Sequence, residues 1–241
     1  MLEVDGLCKR FGGFLAVNQV SFEVREGEIL GLIGPNGSGK STTFNLIAGN
    51  LSPTSGSIRL KGSEIGGLPA YTICHQGIAR TFQIPRPFRK LSLLENVTLA
   101  AYYGHAGSIS RAEAQHHAEE ALDMVGLPSD PATRTSGLGA AALKKLELAR
   151  ALATKPRLLL ADESLGGLDQ TEMERAADML HSIRTRMGIT IVWVEHIMGV
   201  LMRTVDRVIV LDHGEKIFEG APAQAAVDPR VTEVYLGKAR A

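Results

Sequence analysis

Residues 34–42 read GPNGSGKST, and no other stretch of the 241-residue chain constrains its fold as tightly. Gly34 closes the apolar run GEILGLIG, and Ser41 opens the helical pattern STTFNLIAGNL. A buried strand, a glycine-rich turn and a helix in that order make a cradle for phosphate. Glycines let the backbone close round an anion. The helix start points unpaired N–H groups and a partial positive charge at it. Gly34, Pro35, Asn36, Gly37, Ser38 and Gly39 are the candidate wall of the cradle. Lys40 supplies a cation for the outer phosphates, and Ser41, with Thr42 beside it, offers a hydroxyl to Mg²⁺. The motif implies a nucleoside triphosphate and leaves open what its energy is used for.

The periodicity on either side implies an α/β core. LEVDGL, VSFEV, GSIRLKG, RLLLAD and GITIVWVEH are strand-like, and DRVIVLDHGEKIFEG reads as a hairpin turning at His213-Gly214. Helical patterns follow several of these strands, including one from Gln170 to Met187, which predicts a mostly parallel sheet. From about Leu91 the texture changes: LLENVTLAAYY and the run from Ala112 to Met124 have helical spacing. The chain is therefore expected to be one domain. Residues 1–85 and 154–241 form its nucleotide-binding core, and 86–153 an inserted helical lobe.

Composition removes several function classes. Lysine plus arginine equals aspartate plus glutamate at 26 each, so no whole-molecule field draws the chain to nucleic acid or anionic lipid. Cys8 and Cys74 lie far apart without metal-site spacing and read as reduced thiols in a cytosolic setting. The start, MLEVDGLCKRFGG, has acidic residues and no apolar core, unlike a signal peptide. No apolar run approaches the roughly 20 residues that span a bilayer, so any link to a membrane has to pass through a partner. His116 and His117 are adjacent on a helix and do not face one ligand together. Trp193 reads as core.

Further candidates surround the loop. In LLLADE, an apolar strand ends in two carboxylates: Asp162, a Mg²⁺ ligand, and Glu163, a general base for an attacking water. Gln83 can bind Mg²⁺ or that water, and His196, at the end of TIVWVEH, can hydrogen-bond a γ-phosphate. Singly, the last two are ordinary surface or core residues; their order along the chain is what carries weight.

That order is phosphate loop, Gln83, LELARAL, ADE, Asp169 and His196. Over essentially the whole chain it resembles the nucleotide-binding subunit of ATP-binding cassette (ABC) transporters. The resemblance makes Gln83 the Q-loop residue, Asp169 the D-loop residue, His196 the switch histidine, and Phe11 the aromatic that stacks on adenine. It adds an N-terminal antiparallel β subdomain to the expected fold, and ATP with Mg²⁺ as the ligands. RTFQIPRPFRKLSLLENV, VWVEHIMGVL and DPRVTEVYLG are similar to the branched-chain amino acid importers of that family, whose relatives also move amides and organic acids.

The resemblance implies two such subunits head to tail, each ATP held between one phosphate loop and the other subunit's signature helix. The second subunit is expected to be a different ATPase, although a homodimer stays open. Transmembrane permease subunits would sit against IPRPFRKL and the helical lobe. A solute-binding protein would be engaged indirectly, and no nucleic acid is involved. The chain would then lie at the cytoplasmic face of the membrane.

One stretch departs from the family. Where it has leucine-serine-glycine-glycine-glutamine, this chain has Leu138, Gly139, Ala140, Ala141 and Ala142. The serine hydroxyl toward the partner's γ-phosphate is missing, while main-chain N–H groups remain. Ser164 also stands where relatives often have proline. Two other readings stay open: a non-transport ABC ATPase, and an ATP-sensing module with weak hydrolysis.

Overall fold

A computed structural model of the chain describes residues 1–162, 170–195 and 198–236. Leu2–Phe11 (β1) begins, and Phe14–Val24 (β2) ends, with buried side chains alternating with more exposed ones, as in a sheet with one wet face. They pair antiparallel, with Leu2 opposite Val24 and Phe11 opposite Phe14. Ile29–Ile33 (β3) is buried at every position. Lys40–Ile47 (α1), Ser55–Leu60 (β4), Ser63–Glu64 (β5), Ala70–His75 (α2) and Ile78–Arg80 (β6) follow. Three longer helices come next, Leu93–Gly104 (α3), Arg111–Met124 (α4) and Ala140–Ala153 (α5). Leu158–Asp162 (β7), Gln170–Met187 (α6), Thr190–Val194 (β8) and Met198–Thr204 (α7) restore the alternation. Arg207–Asp212 (β9), Glu215–Gly220 (β10), Pro222–Ala225 (α8) and Pro229–Leu236 (α9) end the described chain.

Two compact units divide the chain: Met1–Ala70 with Thr190–Ala241, and Tyr71–Ile189. In the first, β2-β1-β4-β5 form an antiparallel sheet. A second sheet runs β10-β9-β3-β8, parallel except for β10. The β9–β10 turn has positive φ at both His213 and Gly214, 45° and 83°, which is the hairpin geometry their sequence predicts. Trp193 is fully buried on β8, in keeping with a packing role.

In the second unit β6 and β7 pair in parallel, Ile78 opposite Leu158 and Arg80 opposite Leu160. Helices α3, α4 and α5 pack on one another. Leu93, Val97 and Ala101 recur at helical spacing on the buried stripe of α3, and Ala114, Ala118 and Ala121 do so on α4. Both helices start with reciprocal capping boxes, Ser92 with Glu95 and Ser110 with Glu113. Among the described residues no group of three metal-ligating side chains forms, and His116 pairs with Glu120 one turn on. No described helix is long and apolar enough to cross a membrane.

The first unit also buries an ionic cluster. Arg207 Nη2 donates to Glu28 Oε1 at 2.7 Å and to the Glu23 carbonyl at 2.6 Å, and Arg207 Nη1 pairs with Glu219. Removing one partner of such a cluster strands a charge out of water. Arg207→Met should therefore lower unfolding free energy by about 3–5 kcal/mol. Urea melts will measure this, and adding Glu28→Gln to the variant should restore part of the loss.

Candidate functional site

The loop between β3 and α1 is shaped by its neighbours as much as by its own glycines. A side chain at Gly34, where φ is 150°, would put its Cβ 2.1 Å from the Leu211 carbonyl oxygen. At Gly39, where φ is 102°, it would fall 2.7 Å from the Ala16 carbonyl oxygen. Both positions therefore demand glycine on conformation and on space. The hairpin turn closes the arrangement from behind. Gly214 donates its N–H to Ser38 O at 3.1 Å and accepts from Asn18 N–H at 2.8 Å.

Lys40 is 5% exposed, yet it carries an ammonium. Its Nζ donates to the carbonyls of Gly34 and Pro35, both at 2.8 Å. The loop thus folds round its own cation. Ser41 is exposed and Thr42 half-buried on the first turn of α1. Pro35, Asn36, Gly37 and Ser38 line a cavity of about 620 Å³ together with Asp212, His213 and residues of α9. Phe11, at the end of β1, leaves its ring 45% exposed, with Lys9 Nζ 5.2 Å from the ring centre. An exposed ring at a strand end suits stacking on a flat heterocycle.

In the second unit Asp162 ends β7 with its side chain buried. Arg80 Nη2 donates to its Oδ2 at 2.7 Å, and its own N–H donates to Thr81 Oγ1 at 3.1 Å. Gln83 follows three residues after Arg80 on an exposed, irregular stretch. Arg80 and Thr81 were not singled out from sequence. The available signal was a charge closing the otherwise apolar three-residue strand IAR, which implies a partner across the sheet. Glu163, Ser164, Asp169 and His196 lie outside the described residues.

Gly139 is the N-cap of α5, at φ −70° and ψ 169°, with no side-chain hydrogen bond to the helix. Ala140, Ala141 and Ala142 form the first turn, and none of them has positive φ. Leu138, just before, donates its N–H to Thr135 O at 3.3 Å. The three alanines are therefore unstrained, and the N–H groups of the first turn keep their helical direction. A Cβ added at Gly139 would meet nothing within 4 Å.

A strand, a glycine-walled turn enclosing a buried lysine and the helix that follows define a P-loop nucleoside triphosphatase. The comparisons narrow the class. A family model described as ABC transporter matches residues 17–166. The chain is 38% identical to the high-affinity branched-chain amino acid transport ATP-binding protein BraF of Pseudomonas aeruginosa, over 99% of this chain and 98% of that protein. It is 35% identical to the corresponding LivG protein of Escherichia coli, with the same coverage. Its fold matches the ADP conformation of MJ1267, an ATP-binding cassette of an ABC transporter, with a TM-score of 0.88 and 28% identity over 99% of each chain. The chain belongs to the ABC transporter family, as one of its ATP-hydrolysing cassettes.

The helix that begins at the signature position also carries a buried acid. Burial pushes the Glu147 carboxyl above its usual range, against the pull of Arg150, whose Nη1 lies 2.8 Å from its Oε2. The folded state then binds this proton more tightly than the unfolded chain does. Its contribution to stability is present below the ordinary value of 4.5 and lost as pH rises through the raised value. In Glu147→Gln that loss disappears. Urea melts across this window should show the variant gaining stability relative to the unsubstituted chain as pH rises.

Proposed function

We propose that this cassette powers import of branched-chain amino acids or related small amide and organic solutes through transmembrane permease subunits. The near-full-length similarity to BraF carries this reading, together with the cradle at Gly34–Thr42. The chain would sit at the cytoplasmic face of the membrane, bound through the permease. Residues 1–85 and 154–241 would act as the nucleotide-binding core and 86–153 as the helical subdomain. Phe11 would stack on adenine, and residues 34–42 would hold the phosphates.

The oxygen donors of Ser41, Gln83 and Asp162 suit a hard divalent cation, and Asp162 is a buried carboxylate held in place by β6. When bound, Mg²⁺ would neutralise charge on the phosphates. Glu163 would take a proton from the attacking water as the new bond to γ-phosphorus forms and the bond to the β-phosphate oxygen breaks. His196 would hold the γ-phosphate, and Asp169 would contribute across the pair. Binding energy would be used to favour a closed pair over an open one, since a ligand shifts only the equilibrium between states it binds unequally.

The pair would join this chain to a second, different ATPase. The cassette MJ0796 has been solved as a dimer, 29% identical to this chain with a TM-score of 0.81, over 92% of this chain and 99% of that one. Leu138 to Ala141 would serve the ATP held by the partner. A hydrogen bond to a charged group contributes roughly 1.5–3 kcal/mol, so losing the signature hydroxyl would weaken that grip by about 10- to 100-fold. The result is an asymmetric pair in which this chain's own loop and Glu163 form the stronger site.

Two substitutions test this reading in the complex assembled with permease and solute-binding protein. Glu163→Gln should abolish ATP hydrolysis while keeping ATP binding; unchanged turnover would remove Glu163 from the role of base. Gly139→Ser fits the open space at the helix cap. It should raise turnover at the partner's site and leave stability within a few tenths of a kcal/mol. No gain there would mean that main-chain contacts already suffice. Solutes screened for stimulation of ATPase activity will name the cargo, with leucine, isoleucine and valine expected to act.

A further inference from the structure

Asp162 is gripped by Arg80, the last residue of the neighbouring strand β6, and by Thr81 just after it. Arg80 holds a carboxylate oxygen, Oδ2, and Thr81 receives the main-chain N–H. Thr81 in turn donates its own N–H to Leu160 O at 3.0 Å, so β6 and β7 lock together beside the acid. The side chains of Arg80 and Asp162 are only 9% and 7% exposed. The Phe82 ring lies 5.0 Å from the guanidinium carbon of Arg80, which further limits how Arg80 can turn.

A buried ion pair is a weak way to stabilise a sheet, because desolvating two charges offsets most of their attraction. Two apolar residues between β6 and β7 would serve packing as well. The pair instead falls on the carboxylate read above as the Mg²⁺ ligand, and it uses one oxygen of that carboxylate. Holding Oδ2 fixes the rotamer and the plane of the carboxyl group, and so also the place of the second oxygen. Groups that hydrogen-bond a metal-binding carboxylate in this way set the affinity of the site.

We propose that Arg80 is a positioning residue for the divalent cation: it fixes the Asp162 carboxylate in the orientation that the cation–nucleotide complex requires. Arg80 touches neither nucleotide nor metal in this role. The inference rests on the reading of Asp162 as the metal ligand, and it adds Arg80 as a determinant of cation affinity that is separable from nucleotide affinity.

The test measures binding, not turnover. Mn²⁺ serves as the probe, added to the full chain with a non-hydrolysable ATP analogue, and free Mn²⁺ is followed by its electron paramagnetic resonance signal. Binding of a fluorescent ATP analogue in EDTA gives the metal-free nucleotide affinity. Arg80→Met should weaken Mn²⁺ binding by about 10- to 100-fold and leave nucleotide binding in EDTA unchanged. Arg80→Lys keeps the charge without the planar fork and should lie between the two. Asp162→Asn separates the two layers of the argument. If it weakens Mn²⁺ binding while Arg80→Met does not, Arg80 is only structural and the inference is overturned, with the metal ligand intact. If Asp162→Asn leaves Mn²⁺ binding unchanged, the ligand reading itself fails. Should Arg80→Met not fold, Arg80→Gln decides in its place: unchanged Mn²⁺ affinity in that variant overturns the proposal.

Discussion

Lys40 puts a full charge where almost no water reaches, and the loop around it has to answer that charge. An ammonium buried in apolar surroundings would cost many kcal/mol or lose its proton. Here main-chain carbonyls of the same loop turn inward and accept from it. The same loop passes through positive-φ backbone at Gly37 and Gly39, and the space beside Gly34 and Gly39 is already taken by β9 and β2. The cradle is therefore a consequence of tertiary packing. The glycines permit the shape, while the hairpin turn at Gly214 and the strand at Ala16 enforce it.

A comparable constraint governs the segment after Gln83, which has no regular structure of its own between residues 81 and 91. Asn96 is fully buried on α3; its Oδ1 accepts from Phe88 N–H at 2.7 Å, and its Nδ2 donates to Phe88 O at 3.1 Å. Thr135 donates to Arg89 O at 3.2 Å, and Arg150 donates to Arg86 O at 3.0 Å. The guanidinium of Arg150 also lies 5.4 Å from the Phe88 ring. Residues of α3, of α5 and of the connection before α5 thus supply the polar partners that an isolated loop would lack. One of these partners, Arg150, lies on α5, the helix whose first turn is Ala140–Ala142.

What could be read from residue order, and what could not, follows from the range of the interactions. The phosphate loop, the buried strands at 29–33 and 158–162, the helix from Gln170 to Met187 and the turn at His213-Gly214 are written in local pattern. Their determinants lie within a few residues of one another. The grip of Arg80 on Asp162 spans 82 positions and that of Arg150 on Arg86 spans 64. Neither has a periodicity to betray it. The hairpin's role in shaping the loop was hidden for the same reason, since Gly214 and Ser38 meet only once β9 lies beside β3.

The signature stretch sits between these cases. Its composition, glycine followed by three alanines, favours starting a helix there, and a helix does start there. The family's serine would occupy an N-cap whose backbone is already extended and whose side-chain space is open. The position is thus built to receive a capping hydroxyl that it does not have. Departing from the pattern costs the fold little, because glycine at an N-cap is nearly as good as serine. In the proposed pair the loss would therefore fall almost wholly on the hydrogen bond toward the partner's nucleotide. A substitution so neutral for folding would tune one nucleotide site of that pair without disturbing the helix that presents it.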